Sequence, residues 1–192
     1  MKAYDIELCG VKRTLPFVKI NDELAFASFV IISDTQLICA AAKELAARIE
    51  EAGGCDVIVT AEAKGIALAN EVNRLLGKDR FIVARKSVKS YMKNVVSHEV
   101  HSITTVGKQM LYLDGEEAEM INGKRVCLID DVISTGESLA AIEALAVKAG
   151  GNITARAAVL AEGDAADRTD IIFLQKLPLF KKTGEDEYEP ID

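Results

Sequence analysis

Val126-Cys127-Leu128-Ile129 is apolar without a break, ends on two adjacent acids, Asp130 and Asp131, and passes through Val132-Ile133-Ser134-Thr135-Gly136-Glu137-Ser138 into a helical pattern. A strand that is apolar on both sides must be covered on both faces, which is the situation of a parallel sheet packed between helices. The rest of the chain repeats this theme. From Asp34 to Glu51, Leu37, Ile38, Ala41, Leu45 and Ile49 recur at helical spacing, with Asp34 placed to cap the start and Gly53-Gly54 to stop it. Val57-Ile58-Val59 then reads as a strand, and Lys64 to Leu76 as a helix closed by Gly77. Phe81 to Ala84 and Arg125 to Ile129 are further strands, Ser138 to Lys148 is a helix before Gly150-Gly151, and Thr154 to Leu160 and Ile171 to Leu174 complete the series. This alternation predicts an α/β fold, a mostly parallel twisted sheet with helices on both faces.

Sheets of this kind bind ligands beyond the carboxyl ends of their strands. Chemistry is therefore expected just after Val59, Ala84 and Ile129. From Lys86 to Lys108 the pattern turns polar and alternating, as in Val95-Val96-Ser97-His98-Glu99-Val100, which predicts a long loop or a two-stranded flexible flap over residues 86–108.

With 192 residues, 49% of them hydrophobic, the chain can bury one substantial core, and a single domain over 1–192 is predicted. Residues 1–33 and 161–192 read as peripheral or hood segments. No stretch is apolar for long enough to span a bilayer and the first residues lack the layout of an export signal, so a cytoplasmic protein with no membrane partner is expected. The net charge of −7 and the five acids between Gly184 and Asp192 argue against nucleic acid as a partner, and that tail reads as a solvated end. Cys9, Cys39, Cys55 and Cys127 lack metal-site spacing and read as reduced thiols. His98 and His101 would point to opposite faces of an alternating segment, which is unsuited to a metal pair.

Adjacent carboxylates at a strand end repel each other unless donors or positive charge lie between or beyond them. Sugar hydroxyls and a magnesium ion would serve. The turn Ser134-Thr135-Gly136-Glu137-Ser138 lets the backbone approach a ligand and opens a helix whose free N–H groups suit a phosphate. Thr60-Ala61-Glu62-Ala63-Lys64-Gly65 forms a second anion site of the same design, and Arg85-Lys86 with Lys89 and Lys93 close behind would attract a polyanion. Each feature alone has an ordinary alternative, namely a strand-end acid, a helix cap or a solvated lysine. One ligand accounts for all three edges: a ribose with a phosphate at one end and a pyrophosphate at the other.

The thirteen residues Val126 to Ser138 resemble the phosphoribosyl pyrophosphate motif of the type I phosphoribosyltransferases, and the resemblance extends from about Asp34 to Leu160. It implies that Asp130 and Asp131 bind the ribose hydroxyls and meet magnesium indirectly, with the substrate. Ile133 and the turn Ser134, Thr135, Gly136, Glu137 and Ser138 would hold the 5′-phosphate. Ala63, Lys64 and Gly65 would hold the pyrophosphate, with Arg85, Lys86 and Lys89 on its far side and Val132 against the base. Asp130, Asp131, Arg85 and Lys86 are the catalytic set so implied. The implied partners are phosphoribosyl pyrophosphate, a purine base and a second copy of the chain in a homodimer. The implied reaction is displacement of pyrophosphate from the anomeric carbon by a ring nitrogen, under a closed flap.

The order of these segments looks most like the adenine and xanthine branches. Ser134 stands where the hypoxanthine and guanine branch carries an aspartate, which disfavours that branch. Thr105 stands where adenine enzymes carry a glutamate in the flap, so either Glu99 substitutes for it, or the base is not adenine, with xanthine the competitor, or catalysis is weak. Phe17 to Phe29 and Leu177-Pro178-Leu179-Phe180 are the segments expected to roof the base. An orotate-type transferase is a further alternative, as is a non-catalytic sensor of phosphoribosyl pyrophosphate regulating purine metabolism. The sensor would need a DNA-binding domain of about 70 residues ahead of the core, and the stretch before Asp34 has no recognition-helix pattern.

Overall fold

Helix α1 (Thr35–Glu51) buries Leu37, Ile38, Ala41, Ala42, Leu45, Ala46 and Ile49, the stripe its sequence spacing dictates. Asp34 caps it by accepting from the Leu37 N–H at 3.1 Å and also receives the Arg13 guanidinium at 2.6 and 2.8 Å, which ties the helix start to the strand carrying Arg13. The computed structural model describes residues 2–100, 109–185 and 187–191.

The first strands are β1 (Ala3–Leu8), β2 (Val11–Lys19) and β3 (Leu24–Ala27). After α1 come β4 (Val57–Ala61), α2 (Ile66–Leu75), β5 (Ile82–Ala84), β6 (Val96–Val100), β7 (Gln109–Leu113), α3 (Gly115–Ile121) and β8 (Arg125–Ile133). Then follow α4 (Glu137–Lys148), β9 (Asn152–Glu162), a 3-10 turn at Gly163–Asp167, β10 (Ile172–Leu177), β11 (Leu179–Gly184) and β12 (Glu187–Ile191).

The main sheet runs β10-β9-β8-β4-β5 with every pair parallel, as the apolar runs predict. Successive residues of β8 serve two different cores. Cys127 and Ile129 pack with α1 and α2, while Val126 and Leu128 pack with α3 and α4. That division is what an uninterrupted apolar strand is for.

A second sheet, β1-β2-β3-β11-β12, is antiparallel throughout and forms a hood. Its core is aromatic: Phe180 meets Tyr4 and Phe17 edge-on at 5.0 and 4.7 Å between ring centres, and Phe17 meets Tyr188 at 4.8 Å. The acidic end of the chain is therefore not simply a solvated tail. In β12 the exposed Glu187 and Glu189 flank a buried Tyr188, so the acids are the outer face of a strand.

β6 and β7 pair antiparallel, Val96 opposite Leu113 and Val100 opposite Gln109, and β7 lies beyond the 86–108 range of the expected flap. The base of this pair is anchored, because the Lys148 ammonium donates to the Ser97 carbonyl at 2.8 Å and Leu111 and Leu113 are buried. His101, Thr105 and the pair Gly107-Lys108 lie outside the described residues. The short helix α3 was not evident from the sequence pattern. It is set by a capping box between Asp114 and Glu117 and by Gly115, where a methyl would press on the Asn94 Cβ at 2.8 Å and the Lys93 carbonyl at 2.9 Å. Among the described residues no helix is long and apolar enough to cross a membrane.

Candidate active site

β8 does not stop at Ile129. It continues to Ile133, with Asp130 opposite Ala158, Val132 opposite Leu160 and Ile133 opposite Ala161 on β9. The two acids are thus held in the sheet rather than hanging from its edge. Asp131 is 4% exposed, and its Oδ2 is buried with no hydrogen-bond partner. The Lys64 ammonium lies 3.8 Å from that oxygen, beyond hydrogen-bond reach. Asp130 accepts the Asp131 N–H at 2.9 Å. Burial, and then the negative charge of Asp131, push the Asp130 carboxyl up from the ordinary 3.8 to about 7. Burial raises Asp131 as well, against the pull of Lys64. A buried carboxylate oxygen without a donor is costly, and the pair is poised to take hydroxyl donors or a cation from a ligand.

The acids form the floor of a cavity of about 710 Å³. Ala63, Lys64 and Lys86 line one part, Ser134, Thr135 and Ser138 another, and Phe26, Phe29, Leu177 and Leu179 give it an apolar wall from the hood side. A recess of about 40 Å³ adjoins it, formed with Ile133, Ser134, Thr135, Gly136 and Ser138 at the head of α4. Gly136 caps α4 in the left-handed region at φ 80°, and no side chain caps the helix there. Only glycine takes that conformation without strain, and the helix start is left open toward the recess.

Gly65 serves by its size. A methyl there would collide with the Thr60 Oγ1 and come within 3.4 Å of the Ile129 carbonyl and 3.5 Å of the Asp130 Cα. The absence of a side chain lets the β4–α2 loop lie against the end of β8, which brings Lys64 to Asp131. The Glu62–Ala63 peptide in this loop is cis.

Of the residues expected at the site, Ala63, Lys64, Lys86, Asp130, Asp131, Val132, Ser134, Thr135 and Ser138 line the main cavity, and Ile133 and Gly136 line the recess. Arg85, Lys89, Gly65 and Glu137 line neither. The Arg85 guanidinium turns to Glu62 at 3.2 Å, and the Lys89 ammonium turns to the Ser87 hydroxyl at 2.8 Å. Glu137 opens α4, its N–H reaching the Thr135 Oγ1 at 3.4 Å. Phe17 and Phe180, grouped with the roof, instead fill the hood core.

Glu162 and Asp164 also line the cavity, and burial raises the Glu162 carboxyl. The sequence carries the signal for Glu162: Ala157-Ala158-Val159-Leu160-Ala161 is an apolar run followed by an acid, as Val126 to Ile129 is followed by Asp130. A rule applied to three strand ends holds for a fourth.

The model of the family described as phosphoribosyl transferase domain matches residues 30–178. A hypoxanthine/guanine phosphoribosyltransferase of Methanococcus voltae is 35% identical over 113 residues, 59% of this chain and 56% of that protein. An adenine phosphoribosyltransferase of Chlorobium phaeovibrioides is 34% identical over 105 residues, 55% of this chain and 56% of that protein. The chain spans a little over half the length of the curated relatives it matches. In three dimensions it is similar to the adenine phosphoribosyltransferase of Thermoanaerobacter pseudethanolicus, with a TM-score of 0.63 at 21% identity over 92% of this chain and 96% of the other. The enzyme of Giardia lamblia complexed with 9-deazaadenine gives 0.61 at 17% identity, over 91% and 93%. At these identities the structures speak for the fold. The acid pair on a parallel sheet, the open helix start beside it and the family match across the whole of that sheet lead to one conclusion: the chain belongs to the phosphoribosyltransferase family.

Proposed function

We propose that this protein transfers the 5-phosphoribosyl group of phosphoribosyl pyrophosphate to a purine base, releasing pyrophosphate. The observation that carries this reading is the orphaned Oδ2 of Asp131, buried beside Asp130 in one cavity between the open head of α4 and the lysines Lys64 and Lys86. A ribose seated there would donate its hydroxyls to the acids. Its 5′-phosphate would enter the recess at Ser134 to Ser138, and its pyrophosphate would face Lys64 and Lys86. In this reading Arg85 acts through Glu62, and Lys89, bonded to Ser87, stands outside the cavity.

Among the described residues no cluster of three or more ligating side chains could hold a metal ion alone. The hard oxygens of Asp130 and Asp131 suit magnesium when the substrate supplies the remaining oxygens, and bound there it would neutralise charge on the leaving pyrophosphate. The chain's own work is positioning. The acid pair fixes the ribose, the lysines draw the pyrophosphate away from the anomeric carbon, and the apolar wall of Phe26, Phe29, Leu177 and Leu179 excludes water around the incoming base. Closure of the flap, in a homodimer, would complete that exclusion.

For the base we propose adenine first and xanthine second, with the Glu162 and Asp164 carboxyls available to N–H groups at its edge. The naming of the Methanococcus voltae relative supports a second reading, hypoxanthine or guanine. The test is release of pyrophosphate from phosphoribosyl pyrophosphate with magnesium on adding adenine, xanthine, hypoxanthine, guanine, uracil or orotate singly. One purine giving its nucleoside monophosphate is the expected result. Silence across the panel, with phosphoribosyl pyrophosphate still bound in calorimetry, would replace the enzyme by a sensor.

A further inference from the structure

Arg168 follows the 3-10 turn that leaves β9, a turn pinned by the buried Ala165. Asp170 fixes its guanidinium in a two-point grip, taking Nε at 2.9 Å and Nη2 at 2.7 Å. Asp170 is in turn 4.0 Å from Arg156, whose own fork is gripped by Glu143 of α4. The chain of charges runs from the middle of α4 to Arg168 and leaves one arm of Arg168 free of Asp170. That arm lies over the head of α4: a methyl on Gly136 would meet the Arg168 Nη1 at 2.9 Å.

This placement runs against ordinary helix electrostatics. The start of a helix carries a partial positive charge, and acids, not arginines, are favoured beside it. α1 is capped by the carboxylate of Asp34, whereas α4 has a glycine at its cap, Glu137 in its first turn, the Thr135 Oγ1 on its first N–H and the Asp170-bound guanidinium of Arg168 beside it. An anion in the adjoining recess of Ser134, Thr135, Gly136 and Ser138 would gain from the helix start and the guanidinium together.

Resting on the proposed function, we propose that Arg168 is a positioning residue for the 5′-phosphate: held by Asp170, it sets Nη1 in the space a side chain at Gly136 would need and adds positive charge behind the phosphate turn. It lines neither the cavity nor the recess, so it acts through the backbone at Gly136 and through its field. Gly136 is thereby constrained twice, by its φ of 80° and by the arginine above it.

The experiment is calorimetric titration of ribose 5-phosphate, phosphoribosyl pyrophosphate and inorganic pyrophosphate into the wild type, Arg168→Gln, Arg168→Lys and Asp170→Asn. Arg168→Gln should weaken ribose 5-phosphate and phosphoribosyl pyrophosphate about tenfold, the scale of a charge at a partly buried helix end, and leave pyrophosphate unchanged. Arg168→Lys should recover part of the loss. Asp170→Asn, which keeps the charge but frees the fork, should give a smaller loss of the same pattern and serves if Arg168→Gln does not fold. Ribose 5-phosphate bound equally by wild type and variants would overturn the proposal. Equal loss of all three ligands would also overturn it, by making Arg168 a general support. Failure of the wild type to bind phosphoribosyl pyrophosphate would instead sink the site reading itself.

Discussion

Glu62 and Arg85 face each other across the ends of β4 and β5, carboxylate to guanidinium at 3.2 Å, while the second oxygen of Glu62 accepts the N–H of Lys86 at 2.9 Å. One side chain thus holds the two consecutive residues that follow β5, and the Lys86 backbone and Arg85 both keep Glu62 below the usual carboxylate range. The clasp ties the β4–α2 loop, which carries Lys64, to the backbone of Lys86, whose side chain lines the cavity. Glu62→Gln should cost about 1–2 kcal/mol of stability. It should also weaken pyrophosphate and phosphoribosyl pyrophosphate without weakening ribose 5-phosphate. Unchanged pyrophosphate affinity in a folded Glu62→Gln protein would show that the clasp is incidental.

The acid pair predicts a trade between stability and binding. Asp130 is raised from 3.8 to about 7, so the folded chain keeps a proton that the unfolded chain has already lost. Its stabilising contribution is full below about pH 4 and is lost as pH climbs to about 7. Asp130→Asn escapes that loss. Its midpoint of thermal unfolding should exceed that of the wild type at pH 8 by on the order of 5 °C, with the gap closing toward pH 4. A gap independent of pH would show that Asp130 is not the titrating group.

The double change Asp130→Asn with Asp131→Asn should abolish measurable binding of phosphoribosyl pyrophosphate while the protein stays folded. Amides retain the shape of the acids and lose the charge that a hydroxyl or magnesium would meet. Binding at wild-type strength would make the acids structural.

Gly65 and Thr60 should behave as one unit. Gly65→Ala drives a methyl into the Thr60 Oγ1, which is buried and has no hydrogen-bond partner. Such overpacking costs about 1–3 kcal/mol, and Thr60→Ala should return a large part of it. A double-mutant cycle measures this directly, and strict additivity of the two changes would disprove the contact.

Tyr188 tests the acidic end of the chain. Buried at 4% exposure against Phe17, it should cost about 3 kcal/mol when replaced by alanine. Glu187→Gln and Glu189→Gln on the exposed face should change the unfolding midpoint little. A silent Tyr188→Ala would mean that β12 contributes nothing to the hood.

Legibility in the sequence followed burial. β8 and α1 could be read directly, because a strand covered on both faces is continuously apolar and a helix on a core shows its stripe. The same clarity brought out Asp130, Asp131 and the turn at Ser134 to Ser138, which follow the apolar run of β8, and Lys64, which stands between β4 and α2. β12 was obscured because only one of its faces is buried, and its acids look like a charge run when Tyr188 is not seen between them. α3 offers only Gly115 to Ile121, too short for a helical period to emerge. Arg85 and Lys86 could not be told apart for a geometric reason: neighbours on an extended chain point to opposite sides, and which side faces the ligand depends on pairing. Here Lys86 lines the cavity and Arg85 faces Glu62.

The hood joins β3 to β11, with Phe26 opposite Leu179, so two residues far apart in the chain supply neighbouring parts of the cavity's apolar wall. That wall cannot exist on a partly synthesised polypeptide. The central sheet, the acids and the phosphate turn can all be in place while the chain is still being extended, and they would stand open to water until β11 arrives. Completion of the apolar wall is therefore timed by the synthesis of β11, and a ribosome-stalled fragment ending before Leu179 should possess the acid pair without that wall.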